Sequence, residues 1–577
     1  MLKLAKYLKE YILQIIFIFG LVFIQVMTDL QLPDYMSTIV NEGILGKDTG
    51  VIWSAGGKML FVALISAACS VAVGYLAAKV GAGFSMNMRN RVFDKVEHFS
   101  FTEFDKFSTA SLITRSTNDI QQIQMVLIMI LRMVLSAPMM AVGAVIKAVD
   151  KSPSMTWIMA LAVTILIGTV VLVFSIVLPK FKSLQKLVDK LNLVTRENLT
   201  GLRVIRAFNR ADYEEEKFEK ANQDLTQVNL FVNRTMIIMQ PFMMLLMNVI
   251  SITIIWVGAH MIDTGSLMVG DMMAFMQYTM QLIMSFLMIT MMFIMIPRAS
   301  VSAVRIAEIL DTEPTIRDPK EPLATSVKGT KGVVEFKDVK FSYPGAASPV
   351  LEGISFMARP GETTAFIGST GSGKSTLINL IPRFYDVTDG QILIDGQDVR
   401  MIKQEQLREK IGYVPQKAVL FSGTVESNVK YGAPSADYEK MVDTAKIAQA
   451  YDFIDNFEEK FETPIAQGGA NVSGGQKQRL SIARAIIKDP KIYIFDDSFS
   501  ALDFKTDAIL RKELGKRTKE STVLLIAQRI STIMKADKII VLEEGKIAGM
   551  GTHEELMANC EVYKEIALSQ LSEEELA

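Results

Sequence analysis

Apolar runs long enough to cross a lipid bilayer fill the first half of this sequence. They lie near residues 13–40, 54–82, 121–149, 155–179, 236–262 and 268–297. A span needs about 20 apolar residues, because a helix rises about 1.5 Å per residue and the hydrocarbon core is about 30 Å thick. No water in that core can satisfy backbone N–H and C=O groups, so such runs are expected to be helices. The first carries Ile15-Ile16-Phe17-Ile18-Phe19 and continues through Val22-Phe23-Ile24. The second is rich in small residues, including Ala67-Ala68 and Ala77-Ala78, which permits close helix packing. The fourth, from Met155 to Leu178, is the plainest. Half of all residues are hydrophobic, too many for an ordinary soluble enzyme of this length.

The connections between the runs are uneven. Those after the first, third and fifth are short. Those after the second and fourth are long and basic, with Arg89, Arg91, Lys95, Lys106 and Arg115, then Lys180, Lys182, Lys186, Arg203, Arg206 and Arg210. The positive-inside rule places the long connections and both termini in the cytoplasm. Leu187, Leu191 and Val194 keep a helical period, so the long connections read as membrane helices running on into the cytoplasm. Residues Met1 to Glu10 alternate apolar and basic groups, as a helix lying on the membrane surface would. Asp29 in the first run and Arg132 in the third are costly in lipid and must face protein or water. They line a polar path or pair structurally. In the sixth run, Met272, Met276, Met280, Met284, Met288 and Met292 recur every fourth residue, and Gln277, Gln281 and Ser285 give a polar flank. That methionine row winds round the helix. It reads as soft packing filler or as an adaptable substrate wall.

After Pro297 the helical period continues to Leu310 and breaks at Asp311-Thr312-Glu313-Pro314. Residues 1–314 thus form an all-α domain of six spans, 315–331 a linker and 332–577 a water-soluble α/β domain. Val333 to Phe336 and Val339 to Tyr343 read as strands. Then comes Gly368-Ser369-Thr370-Gly371-Ser372-Gly373-Lys374-Ser375-Thr376, between the apolar stretch Thr363 to Ile367 and a helical stretch from Leu377 to Ile381. This is the phosphate-binding loop pattern in its required context of strand, loop and helix. Its glycines let backbone N–H groups close on phosphate oxygens, Lys374 supplies a point charge, and Ser375 can ligate Mg²⁺. The run Lys491 to Asp496 reads as a buried strand delivering a carboxylate to its end, where a Mg²⁺-binding acid belongs in such folds. Ser473-Gly474-Gly475-Gln476 precedes another helical run, as either a second phosphate site or a tight helix start.

The order Tyr343, phosphate loop, Gln416, Val472 to Gln476, Asp496, Ser500-Ala501-Leu502-Asp503 resembles an ATP-binding-cassette domain. With six spans ahead of it, essentially the whole chain resembles an ABC exporter half-transporter. The resemblance implies that Tyr343 stacks on adenine and that Gly368 to Thr376 hold the phosphates of ATP. Gln416 would touch Mg²⁺ and the attacking water, and Asp496 would bind Mg²⁺. Ser473, Gly474, Gly475 and Gln476 would clamp the ATP held by a second cassette, with Asp503 at the interface. Short cytoplasmic helices near Ser108–Asp119 and Arg203–Asp212 would join membrane and cassette domains.

Two positions depart from the family pattern. Asp497 stands where the family has a glutamate general base, and Gln528 where it has a switch histidine. A carboxylate one methylene shorter falls about 1–1.5 Å short of an in-line water, and misplacement on that scale costs about 10²-fold in rate. Glutamine cannot carry a proton, though it can still donate a hydrogen bond. The expectation is a catalytically impaired loop beside an intact signature. That fits a heterodimer with a second half-transporter that keeps its Glu and His. The rivals are a homodimer with two slow sites and an ATP-gated or regulatory membrane protein without a pumped substrate. The expected cargo is an amphipathic drug, lipid or peptide, and the expected location a bacterial inner membrane. Net charge is −1, which gives no field for nucleic acid. Cys69 and Cys560 are far apart and read as inert thiols, and no signal peptide is evident.

Overall fold

The computed structural model describes residues 2–321 and 331–571. Most of the expected linker, 322–330, lies outside the described residues. Two compact units emerge, one of Met1–Glu97 with Thr109–Thr312, the other of His98–Ser108 with Glu313–Ala577. The polypeptide thus leaves the first unit at Glu97, contributes eleven residues to the second, and returns.

The first unit is helical, with six segments long and apolar enough to cross a membrane. The three longest helices far exceed a bilayer: Thr49–Glu97, Thr156–Ala207 and Ala211–Asp263, of 49, 52 and 53 residues. At 1.5 Å per residue each is about 75–80 Å long, over twice the hydrocarbon thickness. The basic connections are therefore continuations of helices. Pro33, Pro179, Pro241 and Pro297 sit inside helices, as membrane helices tolerate when neighbours re-satisfy the freed backbone. The first helix packs on the second, the third on the sixth and the fourth on the fifth. Gly143 on the third helix makes room for Leu30 on the first: a Cβ there would come within 2.2 Å of Leu30 Cδ1 and force that side chain to shift.

The second unit is α/β. Its main sheet has six strands in the order Lys546–Gly551, Lys538–Glu543, Thr363–Gly368, Thr522–Ile526, Ile492–Asp496 and Ile411–Val414. All neighbours are parallel except the first pair. A parallel sheet is covered on both faces, so its strands are apolar throughout. All five residues of Ile492–Asp496 and of Thr522–Ile526 are buried. A four-stranded antiparallel sheet, in the order Leu351–Ala358, Val334–Phe341, Asp389–Ile394 and Gln397–Asp398, packs beside it. Register then places the chemistry. Ile526 pairs with Phe366 on one side and Asp496 on the other. The segments that follow these three strands therefore emerge side by side at the carboxyl edge, where ligands bind in open α/β sheets.

Candidate functional site

The loop after Thr363–Gly368 wraps a cavity of about 590 Å³ lined by residues including Gly368 to Gly371, Gly373 to Thr376, Gln416, Asp496, Asp497 and Gln528. Glycine is obligatory at Gly373. It is left-handed at φ +97°, and a Cβ there would lie 2.7 Å from Leu351 Cδ2. Lys374 opens the helix Lys374–Leu380. Its Nζ donates to the carbonyls of Gly368 at 2.9 Å and Ser369 at 2.7 Å, and to Ser372 Oγ at 3.3 Å. Burial draws Lys374 below the ordinary lysine range, against the pull of Asp497 and Asp496. The lysine stays at the mouth of the loop, over the helix N-terminus where phosphate binds.

Opposite stand two buried carboxylates. Ser375 Oγ donates to Asp496 Oδ1 at 3.0 Å. Burial raises Asp496 above the ordinary carboxylate range, and the neighbouring Asp497 adds to the rise. A hydroxyl and a carboxylate at this spacing, beside a glycine cradle, fit a Mg²⁺ ion, which takes one or two protein oxygens and completes its shell with water and phosphate. Asp497 adopts φ +46°, a left-handed conformation that aspartate tolerates better than most residues. Two neutral amides hold its carboxylate: Gln528 Nε2 donates to Oδ2 at 2.7 Å and Gln416 Nε2 at 3.4 Å. Burial raises Asp497 as well, despite the charges of Lys374 and Arg529. Gln528 is itself fixed from behind. Gln570 Nε2 donates to its carbonyl at 2.8 Å, and Ile530 N donates to Gln570 Oε1 at 2.9 Å. Sequence reasoning missed Gln570, which lies in an unremarkable polar tail.

The remaining cassette residues lie apart from that cavity. Tyr343 shares a hydrogen bond of 3.0 Å with Thr376 Oγ1 and meets Phe341 and Tyr385 edge-on. Val350, not Tyr343, lines the cavity. Ser473 begins the helix Gly474–Ile487 through a capping box: Ser473 Oγ accepts from Gln476 N, and Gln476 Oε1 accepts from Ser473 N at 2.9 Å. The helix start left open by the sequence is thus present. None of Ser473, Gly474, Gly475 or Gln476 lines the cavity of this chain's own loop. Asp503 caps the helix Phe504–Arg517, accepting from Thr506 N at 2.9 Å and Thr506 Oγ1 at 2.7 Å.

One expectation needs correction. The short helix that joins the nucleotide unit is Phe101–Phe107, not Ser108–Asp119. Its Phe101 ring lies 4.8 Å from Phe384 and 6.0 Å from Tyr385, and Tyr385 Oη donates to Asp105 at 3.4 Å. Glu103 receives Ser100 N at 2.8 Å and the Thr315 hydroxyl. Burial would raise Glu103, but these hydrogen bonds outweigh it and hold the group below its ordinary range. The sequence signal was present in the aromatic spacing of Phe101, Phe104 and Phe107.

In the membrane unit the candidate residues separate. Asp29 accepts from Ser66 Oγ, and its carbonyl accepts from Gln281 Nε2 at 3.4 Å. Arg132 instead lines a cavity of about 410 Å³ with Met288. Gln277 and Met284 are exposed and line neither of these features. A charged network went unrecognised in the sequence. Lys147 Nζ lies 2.8 Å from Asp34, and Lys151 Nζ lies 3.5 Å from Asp34 and 3.1 Å from Asp271. Ser37 Oγ donates to Asp271 Oδ1 at 2.6 Å. It joins the first, third and sixth helices near their short connections. Both cysteines are buried and free.

Comparison with known proteins agrees with this architecture. Residues 11–286 match the ABC transporter transmembrane region and residues 351–500 the ABC transporter family model. An uncharacterized ABC transporter ATP-binding protein of Mycobacterium tuberculosis is 41% identical, over 98% of this chain and 97% of its own length. An ATP-dependent lipid A-core flippase of Syntrophus aciditrophicus is 31% identical over 90% of this chain and 86% of its own. A multidrug resistance ABC transporter of Lactococcus lactis is 30% identical over 94% and 91%. A bacterial Atm1-family ABC exporter solved with ATP bound superposes with TM-score 0.79 over 98% of this chain and 99% of that one, at 24% identity. The fold and site define a transport ATPase with its membrane and nucleotide domains fused. This chain belongs to the ABC transporters and is an ABC exporter half-transporter.

Proposed function

We propose that this chain is the impaired-site half of a heterodimeric exporter of amphipathic compounds in a bacterial inner membrane. The observation that carries the reading is the 2.7 Å contact of Gln528 Nε2 with Asp497. A short carboxylate held by a neutral amide has neither the reach nor the proton relay that a glutamate and a histidine would supply. The loop Gly368 to Thr376 still binds ATP: Lys374 is poised for the phosphates, and Ser375, Asp496 and Gln416 would hold Mg²⁺. Bound there, the ion neutralises phosphate charge. Ser473 to Gln476 and Asp503 face a second cassette and complete its site, while Tyr343 receives adenine once Thr376 releases its hydroxyl.

ATP closes the paired cassettes on each other. The helix Phe101–Phe107 and the turn at Arg203–Asp212 carry that closure to the spans, which alternate between inward and outward access. Binding energy thus shifts a two-state equilibrium. Relatives named for lipid A-core and multidrug resistance support amphipathic cargo. The test is to purify the chain alone and with a candidate partner that keeps its Glu and His. Turnover and ATP-dependent dye efflux from vesicles are expected only from the pair. Brisk ATPase from the chain alone would establish a homodimer. Asp497→Glu with Gln528→His is the reverse probe and should raise turnover about tenfold or more, recovering part of the positional loss.

A further inference from the structure

Arg132 is the one cation in the third span whose charge goes unanswered among the described residues. It sits near the middle of the apolar run 121–149, whereas Lys147 and Lys151 on the same helix both reach carboxylates. Asp29, the acid that the sequence offers as its companion, accepts from Ser66 instead. The helix is only locally distorted beside Arg132: Val134 and Leu135 keep helical dihedrals, at φ −60° and −93°, and Ser136 Oγ donates to the Arg132 carbonyl at 2.8 Å. Pro138 follows and cannot donate a helical hydrogen bond.

The side chain lines a cavity of about 410 Å³ with Gln25, Ser70, Met129, Ser136 and Met288. No carboxylate is among the lining residues. An unpaired guanidinium within a span is costly unless it meets water or an anion. Its planar fork suits carboxylate, sulfonate or phosphate oxygens. The surrounding methionines adapt to apolar bodies of varied shape, and Gln25 and Ser70 add neutral polar contacts. We propose that this cavity is the substrate site and that it selects amphipathic anions, with Arg132 binding the anionic group and the methionine wall the apolar body. This deepens the exporter reading and rests on it. An anionic lipid headgroup and a free amphiphilic acid share this chemistry.

The test uses the full-length transporter, with its partner, in phosphatidylcholine nanodiscs. ATPase stimulation is titrated with cholate and with its methyl ester, which keeps the apolar body and removes the charge. Half-saturation for the acid should lie about tenfold or more below that for the ester, as a charge-assisted pair demands. Arg132→Gln should erase the difference by weakening the acid alone, and Arg132→Lys should keep most of it. Adding phosphatidylglycerol should raise the cholate half-saturation if a lipid headgroup uses the site, and leave it unchanged if only free acids do. Equal responses to acid and ester in the unaltered protein would overturn the anion site and leave the exporter reading intact, as would an unchanged preference in Arg132→Gln. No response to either compound, with no efflux of any amphiphile, would overturn both readings.

Discussion

Two pairs of carboxylates do opposite work in this chain. In the nucleotide unit, Asp496 and Asp497 face one lysine, Lys374, whose Nζ donates to the carbonyls of its own loop. In the membrane unit, Asp34 and Asp271 face two lysines, Lys147 and Lys151, each within ion-pair distance. The first pair makes no ion pair among the described residues, although Lys374 and Arg529 lie near, and it stands beside a glycine loop that only a ligand can complete. The second is neutral within itself and ties three helices together. Charge left over marks a place for a ligand, whereas charge cancelled marks structure. Counting acids in the sequence cannot separate the two.

The sharpest break between the pairs should come from their lysines. Lys374→Ala removes the charge aimed at phosphate and should weaken ATP binding at this loop about a hundredfold, the scale of a lost charge-assisted interaction. Photolabelling with an azido-ATP at limiting concentration measures it. Lys147→Ala should leave that labelling unchanged. If labelling survives Lys374→Ala, the loop does not hold the nucleotide.

Removing a carboxylate tests the other pair. Asp34→Leu leaves Lys147 without an ion-pair partner and Lys151 with Asp271 and the Ser37 hydroxyl. The groups are only part-buried, so the expected cost is about 1–2 kcal/mol, below that of breaking a fully buried pair. The double variant Asp34→Leu with Lys147→Met should regain most of it, because an apolar pair can replace a balanced ion pair. Thermal unfolding of the parent, Asp34→Leu, Lys147→Met and the double variant in nanodiscs closes the double-mutant cycle. Additive losses would mean that the two side chains do not interact.

What the sequence revealed follows the same division. The six spans were legible because bilayer thickness sets their length, and the phosphate loop because its glycines and lysine must stand in one order. The helical continuation of the spans was legible from Leu187, Leu191 and Val194. The network of Asp34, Lys147 and Asp271 was not, since it joins residues 113 to 234 positions apart, and only packing brings them together. Gly143 leaves room for the Leu30 side chain, yet one glycine in an apolar run carries no such message. The helix Phe101–Phe107 was misplaced by one helix because helical period cannot say which turn docks. Asp497 and Gln528 were noticed as substitutions. That a 2.7 Å hydrogen bond joins them required two neighbouring strands in parallel register.

The smallest effect is expected from Asp497→Asn, and it separates the two pairs by pH. Burial raises both Asp496 and Asp497. Between an ordinary aspartate value of about 3.9 and the raised one, the folded chain binds more protons than the unfolded chain. Stability therefore falls as pH rises through that window, and keeping both groups ionised costs stability at neutral pH. Glu103 behaves oppositely: its lowered value adds stability at neutral pH that is lost as pH falls below the ordinary glutamate range. Asp497→Asn removes one buried charge and relieves Asp496 of a like-charged neighbour. The variant should unfold at a higher temperature than the parent at neutral pH, and the gap should close on acidification. ATP turnover of the pair should change less than about twofold, because removing a group that does not act as base costs none of the roughly 10²- to 10⁴-fold such a base contributes. A collapse of turnover would make Asp497 a working base despite its length, and Gln528 its positioning partner.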